Sequence, residues 1–478
     1  MPAPLSYYRR FVFWASDALL LDPMASFYVE NFGCRATQAD GAAVERQFRE
    51  RGLVRADDAS EAEVVVLNTC TVTASADRDA RAAIRRVRRE NPSCQIVVTG
   101  CYAQRAPDEI AALPGVTQVI GNSHKHRLAE IALQQSGSGT FVPLNILSAS
   151  QRRTTNDQRP THVSDIFAHT ELLAAPVFDA ANERTRPNLK VQDGCDNRCS
   201  FCVIPSVRGQ SRSLPLQQVL DEVNTLVTAG YREVVISGIN LGRWGRDLPT
   251  SVAQRPTFES LIGTILDYTT LEKLRISSVE PMDWSDDLIQ LMAKSPRIAK
   301  HAHVPMQSGS DRVLRAMHRK YRPWHYREKI EKIRAAMPTA AIGADVMVGF
   351  PGETGQDFEE TRRMVEDLPL TYLHVFTYSV RPGTPAAEMR NQVPAGLAQE
   401  RNKTLRDLAA QKKKAFMQSF VGKTVASITL NVFDGTHTEC LTDNYLKFKL
   451  AGEHTPNRWS QMKVANAEPD ALVGELVI

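Results

Sequence analysis

From residue 26 to about residue 134, short apolar, β-branched runs alternate with stretches of helical periodicity. The run 27–29 precedes a helical pattern over 38–51, the run 63–67 precedes one over 75–90, and the run 95–99 precedes one over 107–113. Strand–helix alternation at this spacing predicts a parallel α/β sheet of the Rossmann or flavodoxin-like kind. The stretches 134–139 and 148–162 are rich in Ser, Gly, Gln and Thr and read as linker. A second block begins near Arg186, with candidate strands over 188–192, 233–237, 273–277, 301–305, 341–348 and 372–376 and helical patterns between them, such as 216–229, 311–317 and 358–368. Six β/α units fit a partial (β/α)6 barrel better than a full eightfold one. A basic helix bearing Arg401, Lys403, Arg406, Lys412, Lys413 and Lys414 follows. The tail then switches to strand-like runs at 425–432, 445–450 and 461–464, the pattern of a small β-barrel.

The chain is thus expected to be an α/β multidomain protein: an extension over 1–24, a first domain over 25–134, a linker over 135–185, the partial barrel over 186–415 and the β tail over 416–478. Its 478 residues suit two to four domains. Hydrophobic residues at 42% and charged residues at 23% describe ordinary globular composition and exclude a fibrous or disordered chain. The 58 Lys and Arg exceed the 54 Asp and Glu by 4, which rules out a polybasic coat and leaves room for local basic patches. The apolar stretch 11–21 resembles a signal peptide, but Asp17 interrupts it and no small-residue cleavage site follows. Nowhere do ~18 uncharged apolar residues run together, so no membrane span is expected and the cytoplasm is the expected compartment. Eight cysteines are too dilute for a disulfide scaffold, and in a reducing compartment clustered thiols point to metal or catalysis.

Six of the eight fall into two constellations. Cys195, Cys199 and Cys202 follow a predicted strand with CxxxCxxC spacing. Soft thiolates select zinc, copper(I) or iron–sulfur clusters. Structural zinc takes four protein ligands, whereas three cysteines without a nearby fourth suit a four-iron cluster with one iron left open. A zinc site completed from elsewhere is the alternative. The second constellation is dispersed: Cys34 follows Val29-Glu-Asn-Phe-Gly, Cys70 follows Val66-Leu-Asn-Thr and Cys101 follows Val98-Thr-Gly. Each thiol lies just beyond the carboxyl end of a predicted parallel strand, the edge where doubly wound sheets collect ligands. Three thiols there would hold a second cluster; three independent buried cysteines are the alternative. Cys94 and Cys440 lack such placement and read as packing residues.

Cys195, Cys199 and Cys202 with Phe201 resemble the radical S-adenosylmethionine (SAM) signature, and the trio Cys34, Cys70 and Cys101 resembles the amino-terminal domain of the radical-SAM methylthiotransferases. The resemblance runs from Phe27 to the C-terminus. It includes Pro205-Ser-Val-Arg208-Gly209-Gln-Ser211-Arg212, Ser277-Ser-Val-Glu280-Pro281, Gln307-Ser-Gly-Ser, Asp345-Val-Met-Val-Gly349-Phe-Pro351-Gly352-Glu353-Thr354 and Tyr378-Ser-Val-Arg381-Pro-Gly-Thr384. The tail resembles a TRAM domain, a small barrel associated with RNA binding. Within the family, Asn68-Thr-Cys70-Thr71-Val72-Thr73, Val98-Thr-Gly-Cys101-Tyr102-Ala103-Gln104 and Leu441-Thr-Asp443-Asn444-Tyr445 look like the branch acting on threonylcarbamoyladenosine in tRNA. Arg35-Ala36-Thr37 departs from the more usual Lys-Val-Asn after the first cysteine.

The resemblance implies two four-iron clusters, on Cys195/Cys199/Cys202 and on Cys34/Cys70/Cys101, with SAM as cofactor and an external reductant and sulfur source. It implies a methylthio group placed on adenine C2 beside the anticodon, with isopentenyladenosine as the alternative substrate and a non-catalytic metal-cluster RNA-binding protein as the alternative class. The C2 hydrogen is not usefully acidic, so a one-electron route avoids a carbanion, and the cofactors carry that chemistry. Phe201, Gly238, Glu280 and Gln307 are candidate SAM contacts, three of them near strand ends. The segment 349–354 lacks the Gly-Lys-Ser/Thr ending of a phosphate loop and reads as a turn. Arg81, Arg85, Arg86, Arg88 and Arg89, and the basic helix before the tail, are candidate surfaces for the tRNA anticodon loop.

Overall fold

The computed structural model describes residues 25–134, 160–169, 172, 185–249 and 255–477; the extension 1–24 and most of the linker 135–185 lie outside the described residues. The first domain is built on β1 (Ser26–Asn31), β2 (Val54–Arg55), β3 (Val64–Thr69), β4 (Gln95–Gly100), β5 (Val116–Gly121) and β6 (Thr161–His162). All pairings are parallel, in the order β2-β1-β3-β4-β5-β6. The first five strands therefore follow the flavodoxin-like order, whose ligand crevice opens at the switch point between β1 and β3. A parallel sheet covered on both faces favours continuous apolar runs, and all six residues of β3 are buried. Val65, Leu67, Ile96 and Val98 pack against helix α2 (Ala74–Glu90), while Val64, Val66, Val97 and Ile120 pack on the side of α1 (Arg35–Arg49).

Two helix starts differ from the sequence reading, and both concern cysteines. Helix α1 opens at Arg35, not residue 38, because Cys34 occupies its N-cap position. A short helix α3 (Cys101–Arg105) begins on Cys101 itself, ahead of the helix Pro107–Ala111. Strands β5 and β6 have no counterpart in the sequence reading. Thr161–His162 falls in the stretch read as linker and becomes a strand only by two pairings with β5.

The second domain contains β7 (Asn188–Asp193), β8 (Arg212–Ser213), β9 (Glu233–Gly238), β10 (Lys273–Ile276), β11 (His301–His303), β12 (Ala341–Val348) and β13 (Tyr372–Thr377). Parallel β7, β9 and β10 form one arc and parallel β11, β12 and β13 another; parallel bridges Leu274–Ile298 and Ser278–His303 join them. Short antiparallel β8 caps β7. Six parallel strands in chain order make the expected partial barrel. A 24-residue helix, Ala395–Gln418, leads to the tail. There β14 (Thr424–Phe433), β15 (His437–Thr442), β16 (Lys447–Ala451), β17 (Trp459–Ala467) and β18 (Leu472–Leu476) close a barrel around Phe448, Leu450, Met462, Val464 and Leu472. No helix among the described residues is long and apolar enough to cross a membrane.

The first two domains are held in register by a buried ion cluster. Asp40 on α1 accepts hydrogen bonds from Lys125 Nζ at 3.1 Å, from Arg208 Nη2 at 3.0 Å and from Lys190 Nζ. Asp193 at the end of β7 accepts from Lys190 Nζ at 2.8 Å and takes Arg208 Nη1 on both oxygens at 3.0 Å. Burial alone would raise the Asp40 pKa, but Lys125, Lys190 and Arg208 outweigh it and pull the carboxyl down to about 2. A carboxylate lowered from 3.8 contributes stability that is fully present above that value and is lost as pH falls toward about 2. A second clasp joins Asp77 of α2 to Arg381 at 2.7 Å and Arg105 at 3.1 Å.

Removing one partner of a buried ion pair strands the other charge, at a cost of about 3–5 kcal/mol. Asp40→Asn is therefore expected to lower the unfolding free energy by that order, read as a lower urea midpoint, while Asp286→Asn, in an exposed pair with Lys332, leaves the midpoint nearly unchanged. Equal midpoints for the two variants would remove the cluster from its structural role.

Candidate functional site

The two cysteine trios lie on either side of the boundary between the first two domains. Gly33 and Gly100 adopt φ of 95° and 99°, conformations that favour glycine. A Cβ on Gly33 would stand 2.8 Å from Cys70 Sγ, so the loop carrying Cys34 passes directly over Cys70. Cys34 and Cys70 follow β1 and β3, the two strands flanking the switch point, and Cys101 follows β4. Cys101 packs against Val203 and Val207, immediately after Cys202. Asn122 ties the halves together, its Nδ2 donating to Val207 O at 2.8 Å and lying 3.6 Å from Cys101 Sγ.

Cys195 accepts from the backbone N–H of Asn197 at 3.4 Å and lies 3.7 Å from Asn240 Nδ2. Arg319 Nη1 donates to Cys199 Sγ at 3.1 Å, and the same guanidinium is paired with Glu280. Such N–H contacts to sulfur are the means by which a protein tunes a cluster's potential. Burial raises the Cys195 thiol to about 11, Cys202 to about 12 and Cys70 to about 12, with neighbouring cysteines of the same trio adding to the rise. These sulfurs are within electrostatic reach of one another, and as free thiols they would be protonated; metal binding releases those protons. A four-iron cluster takes soft thiolates and needs only three from the chain when one iron is left open, which is the donor set each trio offers.

A cavity of about 550 Å³ opens beside Cys34, the one cysteine of the six that lines it. The first domain contributes Cys34, Arg35 and Val72, the barrel contributes Gly238, Glu280 and Gln307 among others, and Tyr445 enters from the tail. Of the SAM contacts expected from the sequence, Gly238, Glu280 and Gln307 thus share one chamber. Phe201 does not line it, packing instead beside Val313, Met317, Phe350 and Ala386. Burial raises the Glu280 pKa despite its pairing with Arg319. Ser237 Oγ and Asn240 Oδ1, both at the β9 end of the chamber, are buried without a protein partner. These orphaned atoms suit a polar cofactor such as SAM.

Two chamber residues are strained. Gln307 has φ of 61° and Tyr445 has φ of 69°, left-handed values that cost a bulky side chain roughly 1–3 kcal/mol and cluster at functional sites. Tyr445 sits 4.6 Å from the His301 ring and 6.3 Å from the Tyr372 ring, and His301 Nε2 is 2.7 Å from Tyr372 Oη. Sequence reasoning misses this aromatic wall, as it misses Arg319 and Asn240, because strands far apart in the chain assemble it. The segment 349–354 is a structural turn: Glu353 accepts from Gly349 N at 2.6 Å and pairs with Arg401 at 2.9 Å. Arg401 is therefore buried and structural, while Arg81 and Arg86 lie at the surface, paired with Glu109 and Glu30.

Residues 26–121 match the uncharacterized protein family UPF0004, and residues 189–365 match the radical SAM superfamily. The chain is 35% identical over 434 residues to threonylcarbamoyladenosine tRNA methylthiotransferase MtaB of Bacillus subtilis (strain 168), covering 90% of this chain and 91% of the relative. In Aquifex aeolicus (strain VF5) the MtaB relative is 34% identical, covering 88% of this chain and 96% of its own length. The tRNA-2-methylthio-N(6)-dimethylallyladenosine synthase of the same organism is 30% identical, covering 94% and 98%. The fold is shared with the radical SAM methyltransferase TsrM of Kitasatospora setae, at TM-score 0.53 and 14% identity over 76% of this chain and 75% of that one.

If the strain at Gln307 serves ligand binding, relieving it separates stability from function. Gln307→Gly is expected to keep or slightly raise the melting temperature while weakening SAM binding several-fold in equilibrium dialysis. A lower melting temperature with unchanged SAM affinity would show that the residue only packs.

Proposed function

Because this chain belongs to the radical-SAM methylthiotransferases, we propose that it adds a methylthio group to C2 of N6-threonylcarbamoyladenosine at position 37 of tRNA, beside the anticodon. The observation that carries the reading is the single chamber: one trio borders it at Cys34, the other's partners Asn240 and Glu280 line it, and all three domains wall it. A cavity of about 550 Å³ is in the range that encloses small ligands. Relatives named for the threonylcarbamoyl substrate match at 32–36% identity.

In this reading Cys195, Cys199 and Cys202 hold the cluster that serves SAM, and Cys34, Cys70 and Cys101 hold the auxiliary cluster. When bound, the clusters and SAM supply the one-electron chemistry that removes the C2 hydrogen and delivers sulfur and methyl. The chain's own residues bind, orient and shelter. Asn240, Asn197 and Arg319 donate toward the sulfurs of Cys195 and Cys199. Arg319 also holds the Glu280 carboxylate at the chamber wall, and Gln307 and Gly238 bound the space for SAM. Val203, Val207 and Ile204 form an apolar seam between the trios that excludes water.

The substrate's path is the groove of about 920 Å³ running between α2, β13 and the helix Ala395–Gln418, with Arg78, Lys403 and Arg406 on its walls and Phe376 beside them. Phe376 is 47% exposed and follows Tyr372 and His374 of the chamber along β13, so groove and chamber are neighbours on one strand. Cations hold phosphates and an exposed ring stacks a base. A purine already displayed in a loop costs little to present. An external reductant and a sulfur source complete the turnover.

Two measurements test this. Replacing Cys195, Cys199 and Cys202 together by Ala, or Cys34, Cys70 and Cys101 together, is expected to leave about half of the reconstituted iron and no methylthiolation; stoichiometric zinc in the intact protein would refute the cluster assignment. Expression in a bacterium lacking its own enzyme is expected to restore 2-methylthio-N6-threonylcarbamoyladenosine in tRNA, read by nucleoside mass spectrometry. Restoration of the methylthiolated isopentenyl nucleoside instead would overturn the substrate.

A further inference from the structure

Every carboxylate on the chamber wall has a partner: Glu280 is paired with Arg319, and Asp345 lies 3.1 Å from His303 Nε2. One cation does not. Arg35, the first residue of α1, forms no ion pair among the described residues, and its side chain bonds only Tyr445 Oη, at 3.3 Å. Two more guanidiniums stand close by, Arg186 and Arg275, sharing the single carboxylate of Glu233 at 3.6 and 2.6 Å. Arg275 lines the chamber with Arg35, Arg186 lies with Arg35 in the adjoining pocket, and Asp443 is a second carboxylate within reach of Arg275, so three guanidiniums meet two carboxylates here. His301 contributes no charge, because burial pushes its pKa well below the usual histidine value. A partly buried cation facing a phenol and a neutral imidazole is a receptor awaiting an anion.

Position within the chamber decides which anion. Arg35 follows Cys34 directly, so it stands beside the trio assigned to sulfur delivery. On adenine, C2 and the N6 nitrogen flank N1 along one edge, so a base offering C2 to that trio brings its N6 substituent close by. The threonylcarbamoyl group ends in a carboxylate and a hydroxyl; the isopentenyl group is a bare hydrocarbon that would leave Arg35 desolvated and unpaired. The loop carrying Tyr445 is fixed for this position: Asn444 Nδ2 donates to Thr339 O at 2.9 Å, and Leu446 N and Tyr445 N both bond Thr442, at 2.7 and 3.0 Å. The strained φ of Tyr445 is thereby over-determined by its surroundings.

We propose that Arg35, with Tyr445 and His301 beside it, forms the subsite that binds the carboxylate of the N6 substituent and so makes this chamber select an acidic substituent over an apolar one. The inference rests on the substrate reading above and gives it a residue. Arg35 touches substrate but no reacting atom, so it governs choice of substrate.

The test is binding, without turnover. Anticodon stem-loops carrying N6-threonylcarbamoyladenosine, its carboxyl methyl ester, or N6-isopentenyladenosine are titrated with the cluster-loaded protein in the absence of SAM, followed by fluorescence anisotropy. The free acid is expected to bind about ten-fold or more tighter than the ester, the scale of a hydrogen bond to a charged group. In Arg35→Gln that ratio is expected to fall to near one, and in Arg35→Lys to be partly retained. A wild-type protein that binds acid and ester equally overturns the subsite, whatever the variants do. An unchanged acid-to-ester ratio in Arg35→Gln overturns the role of Arg35 while leaving the substrate reading intact. Tighter binding of the isopentenyl loop than of either threonylcarbamoyl loop overturns the substrate reading itself.

Discussion

A five-charge lattice with almost no access to water sets the geometry on which the chemistry depends. Asp40 and Asp193 face Lys125, Lys190 and Arg208, with Asp40 and Lys125 from the first domain and the others from the barrel. Buried ion pairs are poor sources of net stability, because desolvation offsets most of the attraction. Their value here is registry. An apolar interface tolerates sliding, but Arg208 can satisfy Asp40 and Asp193 together only when α1 sits at one height over β7. That height brings Cys101 against Val203 and opens Cys34 to the barrel mouth. The least secure member is Lys125, whose pKa burial lowers despite Asp40.

The same lattice solves an electrostatic problem for the first trio. Three cations against two carboxylates leave a positive excess, and Arg208 is held charged by Asp193 and Asp40 against the burial that opposes its charge. A buried thiolate is costly alone, and Cys70 resists ionisation, its thiol raised to about 12. The residual charge of Arg208 acts in the opposite direction on Cys70, favouring the anion, the form in which a thiol binds metal. Arg319 plays the matching part across the boundary, bonded to Cys199 and held by Glu280. Arg319 thus bonds sulfur directly, whereas Arg208, anchored by Asp40 and Asp193, acts on its trio only through its charge.

What was legible in the sequence follows from how local each signal is. The six parallel barrel strands stand within one or two residues of their apolar runs, since buried parallel strands write themselves as continuous β-branched segments. The cysteine trios were legible for a similar reason: strand ends are local, and the sheet edge does the gathering. Strand β6 was not, because two residues become a strand only when β5 supplies the partner. Strands β15 and β18 in the tail are short and carry Glu439 and Glu475, and β15 places Thr438 and Thr442 at buried positions, which blurs the alternation. Charge in a sequence carries no record of pairing, and Arg401 is the member of the basic helix that turns inward, buried against Glu353.

Tyr445 shows why the tail belongs to the site as much as to the surface. A barrel appended only to grip RNA would need no residue of its own in the chamber, and no bulky residue at φ 69°. Here Arg275, fully buried and paired with Glu233, donates to the carbonyls of Asp443 at 3.1 Å and Thr442 at 3.3 Å. The barrel strand β10 therefore holds the very turn that delivers Tyr445 to Arg35 and His301. Arg35 comes from the first domain, His301 from the second and Tyr445 from the third. No single domain contains the pocket, so it exists only when all three are docked. Substrate choice and domain assembly are for that reason one physical event in this fold.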